Sequence, residues 1–194
     1  MRAAFDAGQH DFGENYVQEA LAKIAELADL RTALRWHLIG PLQSNKAREV
    51  AAQFDWVHSV DRIKLARRLS ELRPPELPPL QVCLQVNISG EESKSGVAPE
   101  AALALAREVA ALPRLQLRGL MAIPEPAADP AAQRAPHRAL RELLASMNAA
   151  GLALDTLSMG MSADLEAAVA EGATWVRVGT AIFGSRAAKV AASS

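Results

Sequence analysis

The chain has 194 residues, half of them hydrophobic and 22% charged, with a formal net charge of −1. That balance suits a globular domain with a sizeable core and lacks the basic excess that phosphate-backbone binding needs, so nucleic acid is not an expected partner. No apolar run approaches the ~18 residues of a membrane span, MRAAFDAGQH has no signal-peptide core, and a single cysteine, Cys83, leaves no internal disulfide, so no membrane association and a cytoplasmic location are expected.

Short apolar runs alternate with amphipathic segments along the chain. After RAAFDAG (2–8), which reads as the end of a helix, HDFGE (10–14) is a short strand candidate. NYVQEALAKIAELADL (15–30) is a helix with Val17, Leu21, Ile24 and Leu27 on one face. RWHLIG (35–40) is the next strand and Ser44–Phe54 the next helix. DWVHSV (55–60) precedes a helix over Asp61–Leu72, with Asp61 as its expected N-cap. RPPELPP (73–79) reads as a rigid connector within one domain, because the same patterns continue on both sides of it. LQVCLQVNI (80–88), with Cys83 as a small buried hydrophobe, leads to a helix over Pro99–Leu112 with Pro99 in its first turn. LRGLMAI (117–123) leads to IPEPAADPAAQRAP (123–136), a long loop where function often sits, and a helix over Pro130–Ala150. LDTLSMG (154–160), a helix over Ser162–Glu171 capped by Ser162, and TWVRVG (174–179) complete the series. Gly151 and Gly172 stop their helices.

Most of these strands are too continuously apolar for a half-exposed antiparallel sheet, and they alternate with helices across short connectors. Both features imply parallel strands buried on both faces. Seven strand candidates are present where a β/α barrel has eight, and the missing one falls directly upstream of Met1. The expected molecule is an N-terminally truncated barrel of one domain over residues 1–186, with 187–194 as a tail.

Barrels place their active sites at the C-terminal ends of the strands, and commonly bind phosphate on the loops after the last two. Here those loops are SMGMSADLE (158–166) and GTAIFG (179–184). Gly160 and Gly179 allow close backbone approach, and Ser162 and Thr180 add hydroxyl donors, although ordinary helix capping explains either loop alone. Arg177 shares a strand face with Gly179, toward the barrel interior, and a buried arginine must be paired. A ligand acceptor is the sharper reading and a structural ion pair the plainer one. His37 reads as a satisfied core histidine ahead of a catalytic group. Lys46 and Lys94 sit in loops at the mouth, where solvated lysines are as good an account as any.

FGENYVQEAL (12–21), WHLIGPLQSNK (36–46), QVNISGEESKSG (85–96), LRGLMAI (117–123), SMGMSADLEAAV (158–169) and VRVGTAIFG (176–184) resemble the pyridoxal phosphate homeostasis protein family over nearly the whole chain. The resemblance implies a TIM-type (β/α) barrel similar to the N-terminal domain of alanine racemase, with its first strand missing. It implies binding of pyridoxal 5′-phosphate (PLP), a non-catalytic role in intracellular PLP homeostasis, PLP-dependent apo-enzymes as recipients, and a monomer when complete. It assigns Arg177 to the pyridine nitrogen of PLP, and Ser162, Gly179 and Thr180 to its phosphate. Asn15 lies near the cofactor, where helix N-capping is its plainer role. Met161 and Met121 pack near the ring or line the lumen, or are plain core filler. The family attaches PLP through a lysine on the first strand, in a valine-serine-lysine run absent here. None of the five lysines (Lys23, Lys46, Lys64, Lys94 and Lys189) falls on a strand, so non-covalent binding is expected.

Two enzymatic readings stand beside this one. A PLP-dependent amino-acid racemase needs an acid/base group opposite its lysine, and the only tyrosine is Tyr16. A phosphate-handling barrel enzyme needs carboxylates or a metal cluster at its strand ends, where this sequence offers Ser59, Asn87 and Ser158. No catalytic and no metal-ligating residue is assigned.

Overall fold

The computed structural model describes residues 1–90 and 95–184. In chain order the elements are α1 (Arg2–Asp6), β1 (Asp11–Glu14), α2 (Val17–Glu26), β2 (Arg35–Leu38), α3 (Ala47–Gln53), β3 (Trp56–Val60), α4 (Ile63–Leu72) and β4 (Leu80–Gln85). They continue as α5 (Pro99–Ala110), β5 (Leu115–Met121), α6 (Pro130–Ala149), β6 (Thr156–Met161), α7 (Leu165–Ala170), β7 (Trp175–Arg177) and α8 (Thr180–Phe183). All seven expected strands form, and they pair in sequence order, every neighbour parallel. The result is a nearly closed barrel with β1 and β7 as its edges.

Because the side chains of a strand alternate between faces, the apolar runs supply two cores at once. Trp36 and Leu38 of β2, Val57 of β3, Val82 and Leu84 of β4, Leu120 of β5 and Met159 of β6 meet the helices. There they join Ala20, Ile24, Val50, Leu65, Leu69, Leu105, Val109, Leu140 and Met147 in one cluster. Full burial of each large side chain contributes about 1.5–3 kcal/mol, so this outer layer carries most of the stability. The opposite faces give a much smaller cluster of Trp56, Cys83 and Met121 with Trp175 against it. Cys83 is thus fully buried, and desolvation holds it as the thiol.

Several element boundaries differ from the sequence expectation. Pro99 and Pro130 do open their helices, and Gly151 and Gly172 follow the ends of α6 and α7 with φ of +97° and +86°. Asp61 does not cap α4, which starts at Ile63 after Arg62. Ser162 does not cap α7, which starts at Leu165 after Asp164. The stretch 123–136 is a loop only as far as Asp129, whose Oδ2 accepts from the Ala132 amide at 2.8 Å and caps α6. That helix then runs through Pro136. The 73–79 connector is rigid for a reason the prolines alone did not reveal. Arg73 is buried, and its guanidinium donates to the carbonyls of Pro78, Ala51 and Phe54, each at 2.8 Å, tying the connector to the end of α3. The expected tail, 187–194, lies outside the described residues, as do Lys94 and Lys189.

Candidate functional site

The lumen holds a continuous polar chain. Asp11 on β1 accepts from Arg35 Nε and Nη2, both at 2.6 Å, and lies 3.0 Å from His37 Nε2. His37 Nδ1 is 3.0 Å from His58 Nε2, and His58 Nδ1 is 2.8 Å from the Ser158 hydroxyl. The chain therefore crosses from β1 through β2 and β3 to β6. His37 is buried, stacks on Trp56 with ring centroids 5.4 Å apart, and meets Trp175 at 4.9 Å. It is a core histidine with both ring nitrogens engaged.

His58 is buried too, and desolvation, with the charges of His37 and Arg177, holds its imidazole well below the ordinary histidine value. The Asp11 carboxyl also stays well below its usual range, because its bonds to Arg35 and His37 outweigh the opposing effect of burial. Both shifts translate into acid sensitivity, with a definite order. A neutral buried histidine contributes stability that is present above its unfolded pKa of about 6.5 and lost as pH falls toward its depressed folded value. The slope is about 1.4 kcal/mol per pH unit for one proton. Asp11 contributes in the same sense only below about pH 4. Urea midpoints are expected to fall in two stages on acidification, and a His58→Gln variant should lose the first stage and keep the second.

Arg177 ends β7 with its side chain turned inward, on the same strand face as Trp175. Its Nη2 donates to the Ala122 carbonyl at 2.9 Å, and its buried Nε and Nη1 have no hydrogen-bond partner. Among the described residues no carboxylate is in direct ion-pair contact with it. Burial lowers its pKa to about 10, against a raising influence from Asp164. A desolvated cation with two unused donors can bind an acceptor atom from outside the protein. After Val178 come Gly179, where an added Cβ would meet nothing within 4 Å, and Thr180, both exposed. Small side chains and open space there leave the backbone accessible.

The remaining expected site residues lie around the same mouth, in two groups. Met161 and Ser162 are exposed where β6 runs toward α7. The Met161 amide donates to Asp164 Oδ1 at 2.7 Å, while Asp164 Oδ2 lies 2.9 Å from His137 Nε2, so a carboxylate rather than a ligand shapes this turn. Asn15 stands across the mouth at the end of β1. It caps no helix, since α2 starts at Val17 after Tyr16. Instead it lines a cavity of about 320 Å³ with Ile39, Gly40, Gln85, Asn87 and Ile123. Gly40 is required there, because a Cβ would come within 2.1 Å of the Asn15 carbonyl oxygen. Met121, the last residue of β5, is fully buried and belongs to the inner core with Trp56 and Cys83.

His58, Ser158 and Asp11 as a connected set were missed in the sequence. The signal present was the period of two, which puts His58 on the face of Trp56, but the partner strands are up to 100 residues away. Among the lysines, Lys23 pairs with Glu14, whose side chain is buried, and Lys46 lies 3.7 Å from Glu49. Lys64 is exposed on α4. Among the described residues no group of three metal-ligating side chains assembles, and no helix is long and apolar enough to cross a membrane.

The family model described as alanine racemase, N-terminal domain, matches residues 1–187. The pyridoxal phosphate homeostasis protein of Pseudomonas aeruginosa is 67% identical over 186 residues, spanning 96% of this chain and 79% of that protein. Its namesake from Escherichia coli is 54% identical over 184 residues, or 94% of this chain and 79% of that protein. Among solved structures, PipY of Synechococcus elongatus with PLP bound superposes with a TM-score of 0.85 at 45% identity, over 94% of this chain and 85% of its own. An alanine racemase of Clostridium difficile shares the fold with a TM-score of 0.75 at 12% identity, over 95% of this chain and 47% of its own.

Proposed function

The chain belongs to the pyridoxal phosphate homeostasis protein family, and we propose that its barrel, residues 1–186, binds PLP reversibly at the mouth and takes part in intracellular PLP homeostasis in the cytoplasm without catalysing a reaction of its own. The observation that carries the reading is Arg177, an inward-facing cation with two buried, unpartnered nitrogens, beside the open backbone of Gly179 and Thr180. The residues present fit the cofactor. Arg177 would face the pyridine nitrogen, Ser162, Gly179 and Thr180 would hold the phosphate, and Asn15 and Met161 would flank the ring. PLP bound there supplies an electrophilic aldehyde carbon and, only if its ring nitrogen is protonated, a strong electron sink. A permanent cation at Arg177 disfavours that protonation, which supports carriage of the cofactor over catalysis with it. PLP-dependent apo-enzymes are the recipients in this reading.

Phosphate contributes more to binding than the ring, since it accepts charge-assisted bonds from several amides and hydroxyls while the ring nitrogen meets one arginine. Titration of the protein with PLP and with pyridoxal, followed by tryptophan quenching, should give at least about tenfold weaker binding for pyridoxal. Borohydride treatment of the PLP complex should leave all five lysines unmodified by mass mapping. Equal affinities for the two ligands would remove Ser162, Gly179 and Thr180 from the site, and a single labelled lysine would overturn non-covalent binding. Incubation of the PLP-loaded protein with L-alanine should yield no D-alanine.

A further inference from the structure

The hydrogen-bond chain in the lumen has a direction. Asp11, ionised and acceptor-only, requires the proton of His37 to sit on Nε2, so in the neutral ring Nδ1 must accept. His58 therefore donates from Nε2 to His37, and its own Nδ1 accepts from the Ser158 hydroxyl. Every link follows from the one before. One added proton on His37 reverses the downstream half. His37 Nδ1 would then donate, His58 would have to switch to the Nδ1–H tautomer, and Ser158 would accept and turn its own proton elsewhere.

We propose that the Asp11–His37–His58–Ser158 chain is a proton-accepting partner of the ligand site, in which an anion bound at the mouth beside Arg177 draws one proton onto the histidine pair and reverses the relay. This rests on the mouth being the ligand site. The groups that face the pair fix the sign. From β1 it meets Asp11, which is paired with Arg35 of β2; from β3, Trp56; from β6, Ser158; from β7, Trp175 and Arg177. Cys83 of β4 packs on Trp56 as a thiol, and Arg118 of β5, paired with Asp155, lies over the same indole with its guanidinium carbon 5.3 Å from the ring centroid. Asp164 acts on Arg177.

Among the described residues around the pair the uncompensated charge is Arg177, and it opposes a further proton nearby. An anion at the mouth cancels that opposition. The proton settles on His37, hydrogen-bonded to the Asp11 carboxylate, and leaves His58 neutral. Because such coupling is reciprocal, protonation must raise anion affinity by the same factor, about tenfold for unit charges a few residues apart in a partly desolvated lumen. The chain therefore tunes the ligand site without touching the ligand.

The experiment is nitrogen NMR of the histidine rings in uniformly labelled protein, where only four histidines contribute. Spectra are followed from pH 8 to pH 5 in chloride and in sulfate at equal ionic strength, sulfate serving as a phosphate-like probe that does not itself titrate. At pH 8 both His37 and His58 should show the Nε2–H tautomer. His58 should pass to Nδ1–H as the pH falls, with a midpoint about one unit higher in sulfate, and Arg177→Gln should abolish the difference. If the amides of Gly179 and Thr180 respond to sulfate while the midpoint stays put, or if His58 never shows the Nδ1–H form, the coupling is overturned and the ligand site stands. If those amides respond to neither sulfate nor PLP, the site reading is overturned and the coupling falls with it. The chloride and sulfate comparison is made on the unmodified chain, so a failure of Arg177→Gln to fold would not blunt it.

Discussion

Arg177→Met is expected to weaken PLP binding by about tenfold while raising the thermal midpoint of the ligand-free protein. The two effects have one origin. In the absence of ligand, the guanidinium makes a single hydrogen bond, to the Ala122 carbonyl, and keeps two buried nitrogens without partners. Desolvating an ion costs several kcal/mol unless bonds replace its water, and here one of several does. Methionine fills much of the same volume with no charge to desolvate, and it would sit beside an existing apolar group of Trp56, Met121 and Trp175. A gain of about 1–3 kcal/mol is expected for the ligand-free form, or roughly 2–12 °C for a chain of this size. With ligand, the same change removes the charge-assisted bond to the ring nitrogen, worth about 1.5–3 kcal/mol, which sets a scale of about tenfold. Calorimetric melting and a PLP titration on the same preparation test both halves. A lower midpoint together with weaker binding would mark Arg177 as a structural residue whose loss damages the barrel.

The parts of this fold that were legible in the sequence are those that depend on local pattern. Continuous apolar runs such as LQVCLQVNI announce two buried faces, and the structure divides that run accordingly, with Val82 and Leu84 toward the helices and Cys83 toward the lumen. An arginine two residues before a Gly-Thr pair could be turned inward by counting alone. What pattern could not supply was partnership across the barrel. His37 and Asp11 are 26 residues apart, and His58 and Ser158 are 100 apart; their meeting depends on strand order and on shifts of register. Cap assignment failed for a related reason. Ser162 and Asp61 are good capping residues in isolation, but the turn after β6 is closed by Asp164, which is held in place by His137 on α6. The helix expected over Pro130–Ala150 forms with Pro136 inside it, after Asp129 has already fixed its start.

Gly119→Ala should be the most damaging single-methyl substitution in the sheet, with a cost of about 3 kcal/mol or more. Gly119 lies opposite Thr156 in the β5–β6 ladder, and an ideal Cβ at this position would stand 1.9 Å from the Thr156 carbonyl oxygen. The obstacle is backbone, so no side-chain rotation relieves it. Either β5 or β6 must move. On its other side Gly119 pairs with Cys83, where the β4–β5 register shifts between Val82 and Cys83. Separation of β5 from β6 would propagate along the ladder to Met121 and Ser158, which are paired two residues on. Ser158 carries the hydrogen bond to His58, and the β6 end carries Met161 and Ser162, so a change at Gly119 reaches the proposed ligand mouth. The thermal midpoint should fall by roughly 6–12 °C, by the usual conversion for a domain of this length. Near-ultraviolet circular dichroism should change as well, because Trp56 and Trp175 pack around the same polar chain. An alanine at position 119 that melts within a degree or two of the parent, with an unchanged aromatic spectrum, would show that the two strands are not held at that separation.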